Sequence, residues 1–567
     1  MSYRAPVTEL MFTLEHVVGL DGVIGEGTDS DLDRDTALAI LEEAGKVATD
    51  VLAPLNRISD STPPRLEGDT VVTTPGFADA HRAISDAGWM GLLASPENGG
   101  MGLPLPIATA VNEMMSGACL AFALNPLMSQ AQIEALEAHA DADMQAIYTP
   151  KLLSGEWCGT MNLTEPQAGS DVGALRTKAE PKPDGTYAIT GQKIFITWGD
   201  NDFTTNMAHL VLARLPDAPA GTKGISLFMV PKFLPDANGE AGERNGVKVV
   251  SLEHKLGIHG SPTCVMDYQG ATGWLVGAPN TGMSAMFTMM NNARLGVALQ
   301  GVGIAEAAMQ KALGYAMDRV QGRSPIENGH GTIIDHADVR RMLARMRGDI
   351  FAARAISMAC AVALERGKHD PEQAARGAFL LPIAKAFGTD VGHDVAHLGV
   401  QVHGGMGFIE ETGAAQFARD VRITAIYEGT NGIQAMDFVG RKLMDGGDAA
   451  FGLLDEIEAL AEGARTQLPE LAEPVWGAAE SLREGVEVLL GQDRNDRFAG
   501  AVPFLRAFAR VLGGFYHLKA ALADPARLPL AASYTARALP EHKALLAEAL
   551  VGGDDLYALS PEALGLA

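Results

Sequence analysis

Cysteine is scarce in this chain: Cys119, Cys158, Cys264 and Cys360 stand far apart in 567 residues, with no CxxC pair. That spacing argues against a disulfide-framed scaffold and against a cysteine-ligated zinc module, and it fits a reducing cytosol. Positive charge is also short, with 44 Lys and Arg against 70 Asp and Glu, for a net charge of −26. Such a field repels nucleic acid and anionic membranes, so neither is expected as a partner. An anionic small molecule remains compatible, provided that local arginines, backbone N–H groups or helix N-termini hold it. Long apolar runs are missing too: no window of about 18 apolar residues without charge is found, so no spanning helix is expected. In the opening "MSYRAPVTELMFTLEHVVGLDG", Glu9, Glu15 and His16 interrupt the place where a signal peptide keeps its apolar core, and none is read. There is no GxxxxGKS/T phosphate loop either.

What is present describes a globular protein, 47% hydrophobic and 20% charged, and its length suggests about three or four domains. Residues 1–156 read mostly as helices, as in "DTALAILEEAGKVATDVLAPL", with "ASPENGGMGLPLP" as a loop between them. From 157 to 280 the pattern changes: "GTYAITGQKIFITWG" alternates, and "HLVLARL", "GISLFMVP", "GVKVVSLE" and "CVMDYQG" follow at short intervals, separated by turn residues. Several short strands in series predict a small antiparallel barrel or sandwich. Helical periodicity returns over 281–440, and after the break at "MDGGDAAFG" residues 441–567 read as further helices. No fixed-period repeat is found.

Several motifs carry possible chemistry. "NLTEPQAGSD" (162–171) sets Thr164, Gly169 and Ser170 in a turn whose N–H groups and hydroxyls suit a diphosphate or a flavin edge; by composition alone it is an ordinary loop. "IFITWG" (194–199) places Phe195 and Thr197 on one strand face, a ring to pack on a flat cofactor and a hydroxyl to reach its edge; otherwise it is a half-buried strand. In "QVHGGMGF" (401–408) a helix cap accounts for one glycine but leaves Gly405 and Gly407 unexplained. "GVGIAE" (301–306) fails the dinucleotide fingerprint, since its last glycine is missing and a helix precedes it. "HDVAH" (393–397) has zinc-like spacing but no third ligand, and packed or surface histidines are favoured. "NNAR" (291–294) sets Arg294 in a Met-rich helix, where spacing alone favours a structural salt bridge. Lastly, "AIYEGTNGIQ" (425–434) isolates Glu428 between an apolar pair and small residues, with no further charge before Asp437. A solvated helix face would carry more charge than that.

Taken in order, "SPENGGMGL", "NLTEPQAGSD", "GQKIFITWG", "KLGIHGSPT", "NNARLGVALQGVGIAEAA", "QVHGGMGF" and "ARDVRITAIYEGTNGIQ" resemble the acyl-CoA dehydrogenase family over roughly 85–440. The opening "MSYRAPVTELMFTLEHV" and "IIDHADVRRML" are similar to its large bacterial subgroup, which includes the 3-methylmercaptopropionyl-CoA dehydrogenases. The resemblance implies an α+β multidomain fold: an N-terminal helical domain, a middle antiparallel β-barrel, a C-terminal four-helix bundle and, here, an extra C-terminal helical domain. It implies FAD, with Met161, Leu163, Thr164, Gly169 and Ser170 along one side, Phe195 and Thr197 beside the ring, and Thr430 and Asn431 completing the site. Arg319, Gln401, Gly404 and Gly405 would hold the cofactor of a neighbouring subunit. Ser170, Asn291, Arg294, Tyr427 and Gly429 match substrate positions, although the family often has Asp where Asn291 stands. No metal is implied.

In this resemblance Glu428 is the general base. A thioester α-proton is a weak acid, so its removal needs a base poised by desolvation and donors for the developing enolate. The family supplies those donors from the backbone N–H of the base and a ribityl hydroxyl, and the β-hydrogen leaves as hydride to the flavin. Ala293 stands where some relatives carry the base instead. The implied product is the trans-2-enoyl-CoA, and the implied electron acceptor is electron-transferring flavoprotein. The expected substrate is 3-methylmercaptopropionyl-CoA. A straight-chain medium- or long-chain acyl-CoA, an acyl-CoA oxidase and a non-catalytic helical scaffold stand as alternatives. Leu124, Met128, Met286 and Met290 are candidates for the acyl pocket, and their apolar flexibility suits a thioether or an alkyl tail alike. The extra C-terminal block is expected to cover a surface that smaller tetrameric relatives use, leaving a cytoplasmic homodimer.

Overall fold

Polar residues set the helix starts. Asp33 accepts from the Thr36 N–H at 2.7 Å to open α2 (Arg34–Lys46), and Asp141 accepts from the Met144 N–H at 2.8 Å to open α6 (Ala142–Leu153). Each satisfies an N–H that the helix itself leaves unpaired. The computed structural model describes residues 3–25, 28 and 30–566, with backbone alone at 287–292. Its first part also holds α1 (Val7–Phe12), α3 (Ala53–Ser61), α4 (Phe77–Asp86) and the apolar α5 (Leu105–His139). The region read as helical also contains a small hairpin, β1 (Arg65–Glu67) with β2 (Thr70–Val72). At Cys119 (φ −158°, ψ 89°) α5 leaves helical geometry and turns back on itself. By length and composition alone this helix could cross a membrane, a feature the search for uncharged apolar runs did not mark. The protein itself covers it, with 94% of its most apolar window buried.

The middle part is a seven-stranded sheet in the order β3 (Trp157–Asn162), β6 (Asn206–Ala213), β7 (Ser226–Pro231), β11 (Thr263–Val276), β5 (Tyr187–Thr197) and β4 (Lys178–Pro181), with β10 (Val247–Leu252) also on β11. A separate ribbon pairs β8 (Phe233–Pro235) with β9 (Ala241–Arg244). All the expected strands are present, and all pairings are antiparallel except β3 with β6. A parallel pair needs a long crossover, and residues 163–205 supply it.

Three long helices then pack lengthwise: α7 (Gly282–Asp318), α8 (Ala337–Arg366) and α9 (Pro371–His403), with the short α10 (Ala414–Val421) against α7 and α9. The glycines of "GVGIAE" belong to this packing. A Cβ on Gly301 would lie 2.4 Å from the Gly388 carbonyl oxygen, and one on Gly303 would lie 2.6 Å from the Glu113 carbonyl oxygen, so α7 touches α9 and α5 backbone to backbone. After α11 (Asn431–Asp437), the C-terminal block comprises α12 (Asp448–Ala464), α13 (Pro469–Gly491), α14 (Arg494–Ala499), α15 (Ala501–Ala523), α16 (Leu528–Arg537), α17 (Glu541–Ala549) and α18 (Asp554–Tyr557). α15 joins it to the bundle, with Phe508 centred 5.3 Å from Phe379 of α9 and 5.8 Å from Phe438 just after α11. Phe504 and Phe508 are both 0% exposed, each worth about 1.5–3 kcal/mol of burial.

Candidate functional site

The loop that carries Glu428 is tied down on both sides. Before it, the buried Gln300 of α7 accepts from the Tyr427 hydroxyl. After it, Thr430 caps α11 by accepting from the Ile433 N–H at 3.2 Å, and the buried Gln434 donates to the Glu428 carbonyl at 3.3 Å. Between these anchors Glu428 adopts φ +54° and Gly429 φ +86°. A left-handed non-glycine residue costs about 1–2 kcal/mol, and glycine is the residue that takes the next such position freely. The Glu428 N–H finds no hydrogen-bond partner among the described residues.

Glu428 is half-buried, and its enclosure raises its pKa above the usual carboxylate range. Burial dominates, opposed by the positive charges of Arg294 on α7 and Lys385 on α9. Both cations are themselves pushed down by burial, Lys385 to about 8. Arg294 Nε has no hydrogen-bond partner, and no salt bridge of Arg294 is found among the described residues, so the salt-bridge reading of that residue gives way to a guanidinium that faces Glu428 and Asp437 without contact. Lys385 was not anticipated: it is 0% exposed, with Nζ donating to Asn431 Oδ1 at 2.9 Å. Asn431 in turn donates to Asp390 Oδ1 at 2.8 Å and to the Ala386 carbonyl at 3.2 Å, so its amide is committed to α9. The side chains of Asn291 and Met290 lie outside the described residues.

A second group gathers at the end of β5. Lys193 Nζ donates to the Leu163 carbonyl at 2.8 Å and to Glu165 at 2.9 Å, and the Ile194 N–H donates to the Thr164 carbonyl at 2.9 Å. These bonds bring Met161, Leu163 and Thr164, all half-buried, beside Phe195 and Thr197. The expected alternation is broken by a bulge: Lys193 pairs with Met266 and Ile196 with Cys264, so two residues oppose one, and Phe195 takes φ +60°. A bulge re-aims a side chain. Here the Phe195 ring is left 58% exposed, while Ile196 is buried and Thr197 half-buried. Trp198 (φ +54°) then anchors the strand end to α5, with Nε1 donating to the Ala121 carbonyl at 3.1 Å. Gly169 and Ser170 are exposed, and a Cβ on Gly169 would meet nothing within 4 Å.

Arg319, Gln401, Gly404 and Gly405 form a third, exposed group at the far ends of α7 and α9, where the Tyr315 and His403 rings stack at 4.4 Å. Gln401 is sixteen residues beyond Lys385 on α9, about 24 Å along the axis, so this chain does not bring them to Glu428. Gly404 (φ +59°) ends the helix, and Gly407 is needed because a Cβ there would lie 2.2 Å from the Val400 carbonyl oxygen. Gly405 has no packing reason, with nothing within 4 Å of a Cβ.

A small cleft of about 30 Å³, room for little more than a water molecule, lies between the two arms of α5 and α7, lined by Leu105, Thr109, Asn112, Leu127, Ala293 and Leu295. Leu124, Met128 and Met286 are packed inside the core instead, at 2%, 8% and 0% exposure. His393 and His397 lie one turn apart on α9, His397 Nδ1 sitting 2.9 Å from the His393 carbonyl oxygen. Among the described residues no group of three His, Cys, Asp or Glu side chains could hold a metal ion.

Comparison with known proteins accounts for this layout along nearly the whole chain. The models of the acyl-CoA dehydrogenase N-terminal, middle and C-terminal domains match residues 34–156, 160–271 and 280–444, and an acetyl-CoA dehydrogenase C-terminal-like model matches 453–560. A 3-methylmercaptopropionyl-CoA dehydrogenase of Ruegeria pomeroyi is 46% identical over 93% of this chain and 92% of its own. The broad-specificity linear acyl-CoA dehydrogenase FadE5 of Mycobacterium tuberculosis is 33% identical over 96% and 94%. Among solved structures, Caenorhabditis elegans ACDH-11 in complex with C11-CoA superimposes with a TM-score of 0.79 at 20% identity, covering 94% of this chain and 91% of that one, a likeness of fold. The chain therefore belongs to the acyl-CoA dehydrogenase family, flavin-dependent oxidoreductases of acyl-CoA thioesters.

Proposed function

We propose that this enzyme dehydrogenates 3-methylmercaptopropionyl-CoA to its trans-2-enoyl-CoA with Glu428 as the base. The observation that carries the chemistry is the state of Glu428: a desolvated carboxylate, raised in pKa and held at φ +54° opposite Arg294 and Lys385. Raising its pKa makes the ionised carboxylate a stronger base toward an α-proton than a solvated one. The enolate oxygen is met by the free Glu428 N–H, whose position is fixed by the anchors Tyr427–Gln300 and Thr430–Ile433. FAD, when bound, would supply the hydride acceptor for the β-hydrogen. The residues fit that group: an exposed Phe195, a half-buried wall of Met161, Leu163, Thr164 and Thr197, and unhindered backbone at Gly169, while the open backbone at Gly404 and Gly405 would serve the FAD of a neighbouring subunit. Asn431 serves the site through its grip on α9, and Asn291 is retained as a substrate position.

The substrate follows from the Ruegeria protein, which is 46% identical along almost all of both chains. A second reading, a medium- or long-chain linear acyl-CoA, is supported by the likeness to FadE5. Steady-state rates with 3-methylmercaptopropionyl-CoA, butyryl-CoA and octanoyl-CoA decide between them: the highest kcat/KM is expected for the thioether, and preference for either alkyl substrate overturns this choice. We further propose a homodimer that passes electrons to electron-transferring flavoprotein. The exposed Phe408, Met406 and Ile409 beside Gly404 and Gly405 support a subunit contact there, and light scattering reporting any other assembly refutes it.

A further inference from the structure

Lys385 poses a physical question. Its side chain is completely buried, yet its contact partner is the neutral Asn431 Oδ1 at 2.9 Å, and no carboxylate lies within ion-pair distance among the described residues. Burying an ammonium without a contact anion is costly, and Met would fill the same space without that cost. The anions that face Lys385 are Glu428 and Asp390. Asn431, three residues beyond Glu428, ties these groups together through its bond to Asp390 and those to the Ala386 carbonyl and Thr389 Oγ1. Asp390 is faced from the C-terminal block by Arg506 of α15, with Nε 3.7 Å away, and the same guanidinium lies 3.6 Å from Asp394. α15 also packs directly on α11.

We propose that Lys385 is a positioning residue for the base: through Asn431 it fixes the 426–431 loop, it supplies the buried positive charge opposite Glu428, and Asp390 with Arg506 of the C-terminal block holds it in place. The inference rests on Glu428 being the base. It gives the extra block a part in the reaction, because one of its helices closes the support beneath the catalytic loop. The charged groups around Glu428 and Lys385 are Arg294 from α7, Asp390 and Asp394 from α9, Asp437 from α11, Arg441 from the segment after it, and Arg506 from α15. Removing the Lys385 charge withdraws an attraction that favours the ionised carboxylate, so the acid limb of activity moves to higher pH.

The test compares Lys385→Met, Lys385→Arg, Arg506→Ala and Glu428→Gln in the FAD-loaded full chain. Two readouts are taken: the pH profile of kcat/KM, and the titration of the Glu428 carboxylate without substrate. The latter is followed by its infrared band, assigned as the band missing in Glu428→Gln. Lys385→Met is expected to raise both apparent pKa values by about one unit, a roughly tenfold loss of ionised base at a pH below them. Lys385→Arg restores part of the shift, and Arg506→Ala moves both readouts in the same direction by less. Unchanged values in Lys385→Met overturn the proposal while leaving the base assignment intact. Full activity in Glu428→Gln sinks the base assignment instead, whatever the infrared titration does. Should Lys385→Met fail to fold, Arg506→Ala decides, since its side chain is 37% exposed: a shift upholds the proposal and no shift overturns it.

Discussion

Replacing Glu428 by Gln keeps the size of the side chain and removes both its charge and its ability to accept a proton. General-base catalysis is worth on the order of 10²–10⁴-fold, so kcat should fall by that factor, about 3–5 kcal/mol in the barrier. Stability should respond in the opposite sense. Burial raises the pKa of Glu428 despite the attraction of Arg294 and Lys385, so the folded protein binds this proton more tightly than the unfolded chain. The stabilisation due to the protonated form is full below the unfolded carboxylate pKa and is lost as pH rises through the folded one. At neutral pH the ionised group therefore costs stability, and the neutral amide relieves that cost. Lys385, whose pKa of about 8 is held up partly by Glu428, should lose its proton at lower pH in the variant. The assay is turnover with an acyl-CoA and an artificial electron acceptor, alongside a thermal melt of the same FAD-loaded sample. Turnover within tenfold of the wild type, or a midpoint lowered by several degrees, refutes the reasoning.

Four further outcomes follow from the packing and the charges. Gly301→Val puts a side chain where the Gly388 carbonyl oxygen already stands 2.4 Å from a Cβ, and should cost about 1–3 kcal/mol in a urea melt. Arg354→Met removes the guanidinium that bridges Glu113 at 2.6 Å and Glu306 at 3.0 Å in the core; two buried carboxylates left together should destabilise the fold by about 3–5 kcal/mol. In the wild type Glu306 is held down to about 2, chiefly by Arg347 and Arg354 against burial, so its stabilising share should be lost as pH falls from 4.5 towards 2 in an acid titration. Phe195→Ala should weaken FAD retention, read by absorbance after gel filtration, while the melting midpoint of the apoprotein stays put because the ring is 58% exposed.

The sequence by itself determined the periodicities and the chemistry of isolated residues. Alternation marked β5, because residues two apart share a sheet face, short apolar runs between turn residues marked β6, β7, β10 and β11, and the lone carboxylate in "AIYEGTNGIQ" stood out because nothing near it in sequence explained it. Tertiary structure alone decided the rest. β3 was missed because its pairing is parallel, with a strand 44 residues beyond its own end, and the Phe195 bulge exists only relative to Cys264 and Met266 across the sheet. Lys385 in "LLPIAKAFG" reads as a lysine that reaches past apolar neighbours to water; its burial is set by Asn431 from 46 residues downstream. Likewise Gly301 and Gly303 looked like a failed nucleotide motif until α9 and α5 were laid against them. A residue's type fixes which interactions it can make, but whether a charge meets water or another charge is decided by segments distant in the chain, and that contact sets its pKa and its use.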